Sequence, residues 1–146
     1  MEVKVSWQPA MEFHATTQSG HTIVMDGPED HGGVNAGARP MELMLTGLAG
    51  CSSFDVVHIL QKSRQDVRDC QAVVTAQRAD TEPKVFTEIH LHFVVTGVNL
   101  KASAVERAVS LSAEKYCSAS ILMERAGVKV THSHEVIESD AQSDTQ

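Results

Sequence analysis

An α+β fold built on antiparallel sheets is the class this chain predicts, and three features of the sequence carry it. Short alternating runs open the chain, one long apolar helical stretch follows, and the later strands and helices come in runs. Strand runs separated by helices, without regular βα alternation, mark α+β rather than a doubly wound parallel sheet. The length of 146 residues suits one domain. We take that domain as residues 1–137, with a polar, acidic tail over 138–146 whose composition predicts disorder.

The elements follow in order. Residues 2–8, 11–17 and 21–26 alternate like short strands, broken by Gln8-Pro9-Ala10 and Ser19-Gly20, so an antiparallel meander is expected. Residues 27–38 hold Gly, Pro, Asn and charge without periodicity, and loops of that length are often functional or mobile. A helix is predicted over 40–64, with Pro40 at the first position, where its missing N–H is not needed. Its first half is apolar on nearly every face, as in a buried central helix. Gly47 and Gly50 each cost that helix about 1 kcal/mol relative to Ala, which predicts close approach of another backbone.

Residues 69–80 and 84–98 read as a second strand pair joined at Thr81-Glu82-Pro83. Period-two alternation puts Val85, Thr87, Ile89, Leu91, Phe93 and Val95 on one face of the latter strand. Asn99 is placed to cap a helix with Ala104, Val105, Ala108 and Leu111 on its buried stripe. A shorter helix over 118–125, stopped by Gly127, leads into a last strand over 128–137.

Composition excludes several function classes. The formal charge is −7 and no Lys/Arg cluster is present, so neither nucleic acid nor an anionic membrane is the expected partner. The N-terminus alternates instead of carrying the apolar run of a signal peptide. No run reaching the roughly 18 apolar residues of a membrane span is expected. The cytoplasm is therefore the expected setting, and there thiols stay reduced and disulfides are transient. An odd count of three cysteines also speaks against a structural disulfide framework.

Cys51 and Cys117 lie within apolar segments, and neither belongs to a CxxC pair. Two readings stand on the residues alone: both are buried core, or the fold joins them as a reactive thiol with a resolving partner. Cys51 would sit about three turns into its helix, beyond the reach of the helix dipole. To act as a nucleophile it needs a cation or several hydrogen-bond donors from elsewhere. Cys117 follows Lys115-Tyr116 at a helix junction, where a bend can present it. Cys70 opens a strand and reads as structural. His90-x-His92 and His132-x-His134 each place two imidazoles on one strand face, but no further ligand type converges with them, so no metal is expected.

Pro40-Met41-Glu42-Leu43 followed by Gly50-Cys51-Ser52, and then Glu114-Lys115-Tyr116-Cys117-Ser118, resemble the two cysteine motifs of the OsmC/Ohr family. Gly20-His21 and Met25-Asp26-Gly27 in the opening meander fit as well, so the resemblance covers nearly everything except the tail. It implies an intertwined homodimer, with antiparallel sheets wrapped around two central helices and sites at the subunit interface. It also implies thiol-dependent reduction of organic hydroperoxides, with Cys51 peroxidatic, Cys117 resolving, an external dithiol as reductant and no cofactor. Two positions depart from the pattern. Met41 stands where family peroxidases carry a Glu, and Gln18 where they carry the activating Arg. Glu42 and Arg39 are the supporting candidates in their place. The alternative is a weakly reactive or non-catalytic dimer that senses redox state or binds a small ligand.

Overall fold

The computed structural model describes residues 1–140. The chain divides into two compact units, Met1–Thr46 and the residues from Gly47 onward.

The first unit is a meander of β1 (Val3–Trp7), β2 (Glu12–Thr17) and β3 (Thr22–Asp26), paired antiparallel in that order. Gly20, at φ +87°, makes the second turn, in the region glycine adopts without strain. Residues 27–38 are not a free loop. Asp26 is buried, and its carboxylate accepts the N–H groups of Gly27, Val34 and Ala36 at 2.7, 2.9 and 3.0 Å. Its own N–H donates to the Ala38 carbonyl at 3.1 Å. Gly37 passes so close to β3 that a β-carbon there would lie 2.5 Å from the Val24 carbonyl oxygen. A single carboxylate thus organises the segment.

Helix α1 (Pro40–Lys62) begins in the first unit and continues in the second. Arg39 precedes it, and Glu42 reaches back to accept the Arg39 N–H at 2.9 Å, the reciprocal half of a capping box. The helix ends on a Schellman pattern: Gln65 N–H bonds to Leu60 O and Arg64 N–H to Gln61 O. Arg64 fills the left-handed position at φ +57°, where glycine is usual. Within the chain only Leu48, Ser52, Val56 and Leu60 are buried, one i, i+4 stripe rather than the all-round burial expected. Met44 and Phe54 are exposed. A β-carbon at Gly47 or Gly50 would meet no other part of the described residues within 4 Å, so the predicted backbone contact is not made among them. The helix is also more apolar than the sequence reading allowed, and by length and composition it would suit a membrane span.

The rest of the second unit is β4 (Asp66–Arg78), β5 (Phe86–Val98), α2 (Ala102–Leu111), α3 (Ser118–Arg125) and β6 (Lys129–Glu138). The sheet order is β4-β5-β6. It is mixed rather than purely antiparallel: β4 and β5 run antiparallel, while β5 and β6 run parallel. The reason is the connection, since α2 and α3 form the crossover that returns the chain to the same end of the sheet. Ile89, Leu91, Phe93 and Val95 of β5 are buried as expected, but Val85 lies outside the strand and Thr87 is exposed. An irregularity opposite Gln77–Arg78 shifts the phase there and turns Phe86 inward instead.

Asn99 is a turn residue at φ +51°, not the helix cap, and Lys101 takes the capping position of α2. Val105, Ala108 and Val109 of α2 and Met123 of α3 are buried, and both helices pack against β6. Gly127, at φ +89°, follows α3 as expected. Strand β6 runs to Glu138, one residue into the composition-defined tail, and the Ser139 N–H still bonds to Gly97 O at 2.8 Å. Residues 141–146 of that tail lie outside the described residues.

Candidate functional site

Helix α2 does not end in a simple cap. It runs into a π-helical turn over Ser112–Tyr116, closed by a 2.8 Å bond from the Cys117 N–H to Ser112 O. The wider i→i−5 closure is rare and is frequently found at functional sites. Cys117 then leaves helical geometry (φ −73°, ψ 100°) and becomes the N-cap of α3. Its sulfur accepts the Ser120 N–H at 3.4 Å, standing in for the usual hydroxyl or carboxylate cap.

Cys117 is fully buried. Its Sγ shares a 3.0 Å hydrogen bond with Ser52 Oγ, from the residue after Cys51 on the buried stripe of α1. Ser112, at the head of the π-turn, is also buried, and its hydroxyl lies 3.2 Å from Asp55 Oδ2 and 3.3 Å from the Ser52 carbonyl. Ser52 and Asp55 of α1 thus hold both ends of the turn that presents Cys117.

The Cys51 thiol is near enough to Cys117 to act on its ionisation. Both cysteines are free thiols. Burial pushes the Cys117 pKa up, the Ser52 and Ser120 hydrogen bonds pull it down, and Cys51 pushes it further up. The fold therefore sets the Cys51 side chain near a fully buried Cys117. Cys70 is half-buried on β4 opposite Val95, and burial, followed by the Asp69 charge, raises its pKa.

Arg39 and Glu42 are engaged within the first unit. The Arg39 guanidinium donates to Gly37 O at 3.1 Å and to Asn35 Oδ1 at 3.2 Å, while Glu42 caps α1. Of the two histidine pairs, His90 and His92 have local partners, while the buried His132 Nε2 has none among the described residues. Ser133 Oγ lies 2.7 Å from both His90 Nε2 and His92 Nδ1, and Thr131 Oγ1 lies 2.6 Å from His90 Nδ1.

Sequence reasoning missed Ser52, Asp55 and Ser112. The signal available was a polar residue at the centre of an apolar helix: Ser52 stands four residues from Leu48 and from Val56. A buried hydroxyl requires a partner, and here the partner is sulfur.

Comparison with known proteins agrees with this geometry. Residues 31–133 match the family described as OsmC-like protein. The chain is 50% identical over 140 residues to Protein YhfA of Escherichia coli strain K12, covering 94% of this chain and 98% of that one. Among solved structures, a hypothetical protein from Aquifex aeolicus VF5 superposes with a TM-score of 0.83 at 32% identity, covering 95% of this chain and 97% of that one. An organic hydroperoxide resistance protein OsmC from Legionella pneumophila shares the fold at a TM-score of 0.66 and 21% identity, covering 92% and 96%. With both cysteine motifs brought together in this fold, the chain belongs to the OsmC-like family.

Proposed function

We propose that this protein reduces organic hydroperoxides with its own thiols, in a reducing cytoplasm. The observation that carries the reading is the pairing of Cys51 and Cys117 as adjacent free thiols, delivered by separate elements and braced by buried polar contacts. The hydroperoxide-resistance relative shares that fold. In this reading the Cys51 thiolate attacks the peroxide O–O bond, an alcohol leaves, and a sulfenic acid remains. Cys117 then displaces that oxygen as water to form a disulfide, and an external dithiol restores both thiols by exchange. Burial and the hydrogen bonds around Cys117 suit a resolving thiol held back until its partner is oxidised.

The working form is a homodimer. Its support is the apolar surface left open on α1, Met44 and Phe54 above all, together with exposed Tyr116 and Leu122. A second chain is also a source for the cation that Cys51 needs, since Met41 and Gln18 stand at the family's Glu and Arg positions. Arg39 and Glu42 remain the candidates within the sequence.

A weakly reactive redox sensor is the second reading, favoured by the hydrogen bonds that hold Arg39 to Asn35 and Gly37. One kinetic experiment separates the two. Reduced protein is mixed with cumene hydroperoxide or hydrogen peroxide, and thiol loss is followed for the native chain, Cys51→Ser and Cys117→Ser. Rapid loss of two thiols with preference for the organic peroxide, abolished by Cys51→Ser, is the peroxidase result. Slow loss without preference selects the sensor.

A further inference from the structure

Two hydrogen-bonding groups converge on the Cys117 sulfur, the Ser52 hydroxyl at 3.0 Å and the Ser120 N–H at 3.4 Å, and all three residues are closed off from solvent. Beside a thiol, a serine hydroxyl can donate or accept. Beside a thiolate, which only accepts, it must donate. Hydrogen bonds to a charged group are roughly twice as strong as neutral ones, so this contact strengthens as Cys117 ionises. Ser52 cannot swing away freely, because it lies on the buried stripe of α1 and the Ser112 hydroxyl engages both its carbonyl and Asp55.

We propose that Ser52 is a catalytic residue of the disulfide-forming step, donating its hydroxyl hydrogen to the Cys117 thiolate as that sulfur attacks. Ser112 and Asp55 are positioning residues that hold the π-turn against α1. The proposal rests on the peroxidase reading and assigns the chemistry of its second half. In that step Cys117 S⁻ supplies the electron pair of the new S–S bond, and the S–O bond of the Cys51 sulfenic acid breaks. The departing hydroxide takes up a proton equivalent to the one Cys117 lost and leaves as water. The Cys117 sulfur is oxidised and the Cys51 sulfur reduced, so no outside oxidant is needed.

The neighbouring thiol also bears on when Cys117 ionises. A charged Cys51 beside Cys117 opposes loss of the second proton, because like charges at one site disfavour each other. Oxidation to a neutral sulfenic acid removes that opposition, while the Ser52 and Ser120 donors stay in place.

The test separates the steps in single-turnover reactions, with dimedone trapping for the sulfenic acid and loss of the second thiol for disulfide closure. In Ser52→Ala, closure slows about tenfold or more, trapped sulfenic acid accumulates, and the pH profile of closure moves to higher pH. Ser52→Thr keeps a hydroxyl and restores both rate and profile. Ser112→Ala slows closure without moving the profile. Closure in Ser52→Ala at the native rate and with the native profile overturns the proposal. If the native protein forms no sulfenic acid, the peroxidase reading fails, and the proposed step falls with it. The donor role is then judged alone by titrating the ultraviolet thiolate absorbance of Cys117 in a Cys51→Ala, Cys70→Ala chain. Adding Ser52→Ala raises the midpoint by about one pH unit if Ser52 is a donor, and equal midpoints sink that role.

Discussion

Arg64 closes helix α1 in a left-handed conformation that an L side chain tolerates poorly. Its N–H and that of Gln65 already make the hydrogen bonds of the motif, so only the β-carbon is out of place. Arg64→Gly is therefore expected to stabilise the fold by about 1 kcal/mol, the left-handed penalty less the extra chain entropy of glycine. Urea unfolding measures it, and a lower midpoint would show that the Arg64 side chain holds something more valuable. Asp26 is the opposite case. Backbone N–H groups of Ala36 and Val34, then Gly27, hold its carboxyl below the ordinary 3.8, with the Arg39 charge adding to them. A carboxylate whose folded pKa is depressed contributes stability above its unfolded value, and that contribution fades as pH falls through the folded pKa. Asp26→Asn should thus lower the midpoint at neutral pH and shrink the difference between neutral and strongly acidic melts. An unchanged acid limb would exclude Asp26 as its source. The sequence marked Asp26 only as part of a family motif and not its role, because the groups it collects lie in an aperiodic stretch whose path only the fold defines. The role of Ser52 was as hard to read: a serine in an apolar helix looks like dilution until the sulfur beside it is seen.

At the scale of elements, periodicity located most of the chain and failed where phase changes. Alternation in β5 was readable from Ile89 to Val95, whereas the irregularity near Arg78 reversed the facing of its first residues. The direction of β6 was not readable either, because a strand's own pattern does not reveal whether its neighbour runs with it or against it. The π-turn escaped for a related reason: one residue more than an α-helical turn leaves no compositional mark. Strand β6 also carries His132, half-buried beside a cavity lined by Glu106 of α2, Glu114 of the π-turn, Glu124 of α3 and His134 of its own strand. Burial lowers the His132 pKa below 6.5. Glu124 opposes that, His90 of β5 adds to it, and Glu114 opposes it more weakly. The folded chain therefore favours neutral imidazole. Stability is full above the unfolded value of 6.5 and declines as pH drops from there through the folded pKa. Melts of His132→Leu should show a flatter profile across that window than the native protein. Parallel profiles would mean that another group carries the acid sensitivity.

For the whole molecule, the sequence announced a core helix and a single chain buries only one stripe of it. Apolar composition on nearly every face was legible; which of those faces one chain leaves open was not, since that depends on how the fold packs. A long helix with exposed Met44 and Phe54 is expected to pack against a partner chain. Sedimentation equilibrium should accordingly return twice the chain mass of 15.8 kDa. Phe54→Lys, which places a charge on that surface, should shift the species toward the single chain and reduce peroxide turnover with it. A native monomer with full turnover would remove the dimer from the proposed mechanism.

The parallel pairing of β6 also sets an order of events in time. This strand cannot close onto β5 through a tight hairpin; it waits until α2, the π-turn and α3 have been made. On the ribosome Cys51 and Cys70 emerge well before Cys117. The shorter loop between those two cysteines is entropically the easier one to close. A nascent chain that meets an oxidant can therefore trap Cys51 with Cys70 before its proper partner exists. Reducing conditions would then matter for the birth of this protein as well as for its turnover, and Cys70→Ser should raise the yield of native chain made under oxidative stress.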